Sequence, residues 1–122
     1  MLEYETEVIM KKMSLKDFIY MFIALCFPHH DYIDKDIFTN YLCDAFNLNY
    51  NDINVDLEDI FNEMQNNGYI QFRNTFNYLI TINSNFPYQE IITNKKEYIK
   101  DISIYVDDYN YYVFSQKKCP SR

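Results

Sequence analysis

The 122-residue chain is predicted to be an α+β protein that is mostly helical, with one β-hairpin and a long C-terminal helix. Apolar residues recur at steps of three and four in four segments, which is the spacing of helices with one buried face. After Gly68 the spacing changes to two, which predicts strands. The chain has one glycine and three prolines, so it lacks the turn residues that an all-β sandwich needs at its corners. We expect a single domain over residues 1–122.

The first two helices are predicted from start and stop signals. Ser14, with Asp17 three residues later, resembles a capping box, and Pro28 stops the first helix. Asp34 is the predicted N-cap of the second helix, whose apolar stripe runs to Phe46. Residues 29–31 are expected to form a polar connection between the two helices.

The third helix is predicted to follow an Asn-rich loop over residues 47–54. Asp56 is its expected N-cap, and Val55 is expected to pack against Ile60 as a hydrophobic staple. Its end is predicted at Asn67 and Gly68, because glycine supplies the left-handed residue that closes many helices.

Two strands over residues 69–72 and 78–82 are predicted to pair as a hairpin. Residues 88–93 are expected to form a short extension or a further strand. Asn94 is the predicted cap of the longest helix, over residues 95–113, and a polar tail over residues 115–122 follows.

Three helices, the third ending in Gly68, Tyr69 and Ile70 and leading into a hairpin, resemble a winged helix-turn-helix domain. The resemblance covers residues 14–83, and the helix over 95–113 completes it. It implies a three-helix core with a β-hairpin wing. In members of this family that bind DNA, the third helix lies in the major groove and the wing touches the backbone.

The charge of the third helix departs from the DNA-binding members of that family. No Lys or Arg occurs between Lys35 and Arg73. Acids fill the same stretch: Asp36, Asp44, Asp52, Asp56, Glu58, Asp59 and Glu63. Because a recognition helix needs basic side chains to contact guanine edges and phosphates, direct DNA binding by this helix is not expected.

No catalytic constellation, metal site or cofactor is predicted, and the chain is not expected to be an enzyme. His29, His30, Asp31 and Asp34 are better interpreted as a solvated loop, because no further His or Cys cluster accompanies them. Cys26 lies three residues before His29, but a thiol in an apolar run is more often a core residue.

The cysteines and the hydropathy pattern bear on the compartment. Three cysteines without close spacing favour a reducing cytoplasm. The longest apolar run, over residues 18–28, is too short to span a bilayer, which takes ~20 residues, so no membrane partner is expected.

The formal net charge of −7 and the 13 tyrosines indicate a protein that binds another protein with a basic surface. The predicted partner-binding residues are Asp52, Asp56, Glu58, Asp59, Glu63, Tyr105, Tyr109 and Tyr112. We also expect the last helix to mediate a homodimer, because its apolar stripe is wide enough to cover the core and a partner helix.

This pattern is typical of small phage and mobile-element inhibitors of nucleic-acid-handling machinery, anti-CRISPR proteins being one example. The alternative is a winged-helix transcriptional regulator or antitoxin that binds DNA as a dimer, through Arg73, Lys95 and Lys96. An assembly adaptor is a third hypothesis.

Overall fold

A computed structural model describes residues 13–28, 31–72 and 79–118, which form the expected mostly helical α+β fold. The α-helices are α1 (Leu15–Cys26), α2 (Lys35–Phe46), α3 (Tyr50–Asn66), α4 (Tyr88–Asn94) and α5 (Ile99–Lys118). The strands are β1 (Tyr32–Asp34), β2 (Ile70–Phe72) and β3 (Leu79–Ile82), and a 3-10 helix covers Lys96–Tyr98.

The caps of α1 and α2 are confirmed. The Ser14 hydroxyl accepts a hydrogen bond from the backbone N–H of Asp17 at 3.1 Å. The Asp34 carboxylate accepts from the backbone N–H groups of Asp36 and Ile37 at 3.0 and 3.2 Å. Each cap satisfies backbone donors that the first helical turn leaves without partners, so the starts of both helices are set locally.

The start of α3 differs from the prediction. Asn49, and not Asp56, is its N-cap, and the Asn49 side-chain oxygen accepts from the backbone N–H of Asp52 at 3.1 Å. The predicted loop over 47–54 is therefore reduced to three residues, the first of which, Asn47, is left-handed at φ 54°. Asparagine caps a helix as well as aspartate does, and the earlier start lets Ile53 enter the core.

The predicted staple between Val55 and Ile60 is also wrong. Val55 lies inside α3, where its side chain is 57% exposed, whereas Ile60 belongs to the buried face. The predicted end of α3 is confirmed. Gly68 has φ +80°, and the N–H of Tyr69 donates to the Met64 carbonyl at 2.9 Å.

The strands form one antiparallel sheet in the order β1-β3-β2. β2 and β3 pair as predicted, with Ile70 opposite Ile82. β1 was not predicted; it joins α1 to α2 and places Ile33 opposite Ile80. A strand of three residues with one buried side chain is too short to display the alternation of buried and exposed positions that marks a strand in a sequence. Only its pairing with β3 identifies β1 as a strand. The link over 73–78 lies outside the described residues.

The core is aromatic and is centred on α1. Its largest fully buried side chains include Phe18, Phe22, Phe38 and Phe61. α5 packs against α1 and α2, so that the ring centroid of Tyr109 lies 5.4 Å from that of Phe22 and 5.7 Å from that of Phe38. These edge-to-face contacts are a favourable geometry for aromatic rings and tie α5 to the three-helix core.

The segment between β3 and α5 differs from the prediction. Residues 88–93 belong to α4 and not to a strand, and Tyr88 donates a hydrogen bond from its hydroxyl to the Phe27 carbonyl. The long helix begins at Ile99, after the 3-10 turn, so Asn94 is not its cap. It also continues to Lys118, beyond the predicted end at 113, so residues 115–118 are helical and not part of a tail.

Candidate protein-binding surface

The outer face of α3 carries three exposed acids, Asp52, Asp56 and Asp59. Their spacing of four and three residues places them in one line along the helix, about 10 Å long at ~1.5 Å per residue. None of the three forms an ion pair with a residue in the described ranges. The opposite face of α3 is buried, at Ile53, Leu57, Ile60, Phe61 and Met64. We call the three acids the acidic row.

The other two predicted acids of α3 are engaged within the fold. Glu63 Oε2 lies 2.9 Å from Lys16 Nζ on α1, and Glu58 Oε2 lies 3.7 Å from Lys35 Nζ on α2. The hydrogen bond and charge of Glu63 raise the pKa of Lys16, so this ion pair favours the charged ammonium. Of the five predicted acids, Glu58 and Glu63 therefore differ from the other three, because they have cations of this chain beside them.

Lys35 is the charged side chain most deeply placed in the described residues, at 3% exposure. Besides Glu58, its ammonium donates to the side-chain oxygen of Asn54 on α3. An ammonium that is buried without partners destabilises a fold, so these contacts link α2 to α3. Sequence reasoning missed this pair because its members are 23 residues apart.

The basic residues of the DNA-binding alternative differ in their surroundings. Lys95 Nζ lies 3.5 Å from Asp17 Oδ2, and Arg73 lies outside the described residues. Lys96 is exposed. Lys95 and Lys16 border one cleft of about 340 Å³ between α1, α3 and α4, where carboxylates face both of them.

Two of the three predicted tyrosines are core residues. Tyr105 and Tyr109 are each 4% exposed, and burial raises the pKa of Tyr109. They cannot line a partner-binding surface, so their prediction as site residues is wrong. Tyr112 is half-buried, and its ring centroid lies 5.6 Å from that of Tyr41. Self-association through α5 stays a prediction, but the exposed apolar residues on this helix are Ile104, Tyr111 and Phe114.

A small notch lies between α2 and α5, with a volume of about 200 Å³. Three tyrosines and two acids line it, together with Ala45 and Ser115: Tyr41, Asp44, Asp108, Tyr111 and Tyr112. We call it the tyrosine notch. Its residues on α5 recur at steps of three and four, which the sequence displays. Its α2 wall, with Tyr41 and Asp44, becomes apparent only from the packing of the helices.

A hydrogen bond between Tyr41 and Asp108 fixes the floor of the tyrosine notch. The Tyr41 hydroxyl lies 3.0 Å from Asp108 Oδ2, to which it donates, and 3.1 Å from the Tyr105 carbonyl oxygen. Burial, followed by the charge of Asp108, raises the pKa of Tyr41, so this hydroxyl stays protonated and available as a donor. Burial and the charge of Asp44 likewise raise the pKa of Tyr112.

Comparisons of this chain with protein-family models, curated proteins and solved structures give no match. Within the described residues, no three His, Cys, Asp or Glu side chains come together as metal ligands. The described helices also include none with both the length and the apolar character needed to cross a membrane.

Proposed function

We propose that this chain is a non-enzymatic binding protein whose acidic row contacts a basic surface on a partner protein. The observation that carries the proposal is the row itself: three exposed carboxylates on a helix that has no Lys or Arg. Like charges along one helix face repel each other, and a basic surface would relieve that repulsion. Their joint field would also steer association at low ionic strength.

We further propose that the fold is winged-helix-like and that the partner is a protein that handles nucleic acid. Three helices followed by the β2–β3 pair support the first part. In DNA-binding winged helices the third helix enters the major groove. Here that helix carries charges of the same sign as phosphate, so a groove built for nucleic acid would attract it.

An inhibitor of the phage or mobile-element kind, such as an anti-CRISPR protein, fits this chemistry. It would act in the cytoplasm of the host cell. The two described cysteines, Cys26 and Cys43, are free thiols, which agrees with a reducing compartment.

A capture experiment with matched variants tests the proposal. The tagged chain is used to capture a partner from lysate of its host, beside the variant Asp56→Lys/Asp59→Lys. The control is Glu90→Lys/Glu97→Lys, which makes the same change in net charge at exposed residues that do not belong to α3. The captured partner is then purified, and its association rate is measured against salt concentration.

We expect the control to retain the partner and the α3 variant to lose it. The purified wild-type pair should associate more slowly as salt rises, because salt screens the field of the row. Equal capture by both variants, together with an association rate that does not change with salt, would refute the role of the acidic row. A complex with duplex DNA that needs α3 would instead favour the regulator or antitoxin hypothesis.

A further inference from the structure

We infer that the tyrosine notch receives an arginine side chain of the partner protein. This inference rests on the proposed function, because it specifies how a basic partner is held. The notch combines two kinds of group that a guanidinium recognises. Asp44 and Asp108 supply carboxylates on α2 and α5, and Tyr111 and Tyr112 supply aromatic rings beside them.

The size of the notch favours one side chain over a larger ligand. Its volume of about 200 Å³ is below the roughly 300–1,000 Å³ of sites that enclose small molecules. A single extended side chain can enter such a space while its backbone stays outside. The notch is therefore suited to one anchoring residue within a wider protein contact, as interface pockets commonly are.

The chemistry favours arginine over lysine. A guanidinium is planar, so it can stack on tyrosine rings while its N–H groups reach carboxylate oxygens. A lysine ammonium is a compact, strongly hydrated charge that gains less from the rings. Both acids of the notch are exposed, and neither has a counter-ion among the residues that the structure describes.

Asp108 is held in place before any ligand arrives. The Tyr41 hydroxyl donates to its Oδ2 atom. Tyr41 is itself buried at 2% exposure, and its hydroxyl oxygen lies 3.1 Å from the Tyr105 carbonyl oxygen. The Oδ1 atom has no hydrogen bond to a described residue and can accept from a guanidinium. A preorganised acceptor lowers the entropy that binding must overcome.

The inference is tested without the partner, by titrating the chain with N-acetyl-arginine amide. Binding is followed by NMR of labelled tyrosine rings. We expect saturable shifts at Tyr41, Tyr111 and Tyr112, with a dissociation constant in the millimolar range that suits a single side chain. The citrulline analogue, which keeps the shape but not the charge, should cause no saturable shift, and the lysine analogue should bind more weakly.

Variants locate the binding. Asp44→Asn and Tyr112→Leu should each weaken arginine-amide binding severalfold, whereas Tyr112→Phe keeps the ring and should bind nearly as well as wild type. Asp107→Asn, an exposed neighbour outside the notch, is the matched control. Because Asp44 is exposed, Asp44→Asn should leave the fold intact, so it tests the inference even if Tyr112→Leu disturbs the fold.

Equal shifts with the arginine and citrulline analogues, or no saturable shift, would overturn the inference. Arginine-amide binding that persists undiminished in Asp44→Asn would do the same. These results are separate from the capture experiment. Suppose that arginine amide binds the notch, but the partner is captured equally by the wild-type chain and the α3 variant. The proposed role of α3 would then be overturned, whereas the inference about the notch would be supported.

Discussion

Lys35 Nζ lies 3.7 Å from Glu58 Oε2, which links the first turn of α2 to the middle of α3. The lysine is almost fully buried, whereas the side chain of Glu58 is 43% exposed. The two acids Glu58 and Asp59 are neighbours in the sequence but differ in role. Glu58 compensates a buried charge, and Asp59 points to solvent as part of the acidic row.

We therefore expect Glu58→Lys to destabilise the fold and Asp59→Lys to leave it nearly unchanged. In Glu58→Lys a second ammonium would face the buried Lys35, at a cost of about 1–3 kcal/mol in the free energy of unfolding. Asp59→Lys should stay within about 0.5 kcal/mol. Urea unfolding followed by circular dichroism measures both. Equal stabilities would show that Lys35 does not depend on Glu58.

The two tyrosine environments on α5 give a second pair of variants. Tyr109→Ala removes a ring that packs on Phe22, Phe38 and Tyr41, and it should lower the free energy of unfolding by about 3–5 kcal/mol. Tyr111→Ala removes a ring that is 70% exposed and should change it by less than about 0.5 kcal/mol. Thermal unfolding compares the two. A small loss for Tyr109→Ala would contradict the assignment of Tyr109 to the core.

The fold should lose stability in alkali. Burial, followed by the charges of Asp31 and Asp107, raises the pKa of the Cys26 thiol from 9.0 to about 12, and burial also raises the pKa of Tyr109 above its ordinary 10.0. Below pH 9 these groups are protonated in both the folded and the unfolded chain, and their contribution to the free energy of unfolding is fully present. Above it the unfolded chain releases protons that the folded chain retains, so the free energy of unfolding falls as pH rises.

Urea midpoints at about pH 8, 9.5 and 11 test this pH dependence. Cys26→Ala should flatten the decline that begins near pH 9, and Tyr109→Phe should flatten the part above pH 10. A midpoint that does not change with pH, or that rises, would contradict the burial of these groups.

The elements predicted correctly are those whose signals are local. Ser14 and Asp34 cap their helices through bonds to N–H groups two or three residues away, and Gly68 closes α3 by its own backbone conformation. β1 has no such signal, because only its pairing with β3 defines it as a strand.

The candidate site divides in the same way. The sequence shows the spacing of Asp52, Asp56 and Asp59, but the prediction placed Asp52 in a loop. The three acids share a face because α3 begins at Tyr50. The sequence does not show that Glu58 lies beside Lys35, or that Tyr109 turns toward Phe22 and Phe38, because these contacts join distant segments. Tyrosine spacing on α5 is compatible with either a buried or an exposed face, and packing against α1 and α2 decides between them.

The last prediction concerns nucleic acid and tests the placement of α3 directly. The wild-type chain should give no complex with duplex DNA in a low-salt mobility-shift assay, because phosphates repel the acidic row. The variant Asp52→Lys/Asp56→Lys/Asp59→Lys raises the formal net charge of −7 by six and makes the exposed face of α3 basic. If α3 can enter the major groove as the recognition helix of a winged-helix domain does, this variant should gain weak DNA binding that disappears as salt rises.

The control variant Glu90→Lys/Glu97→Lys/Asp107→Lys makes the same change in net charge at exposed residues outside α3 and should bind DNA less. Equal binding by both variants would attribute the gain to net charge alone, and binding by neither would argue against a groove-entering position for α3.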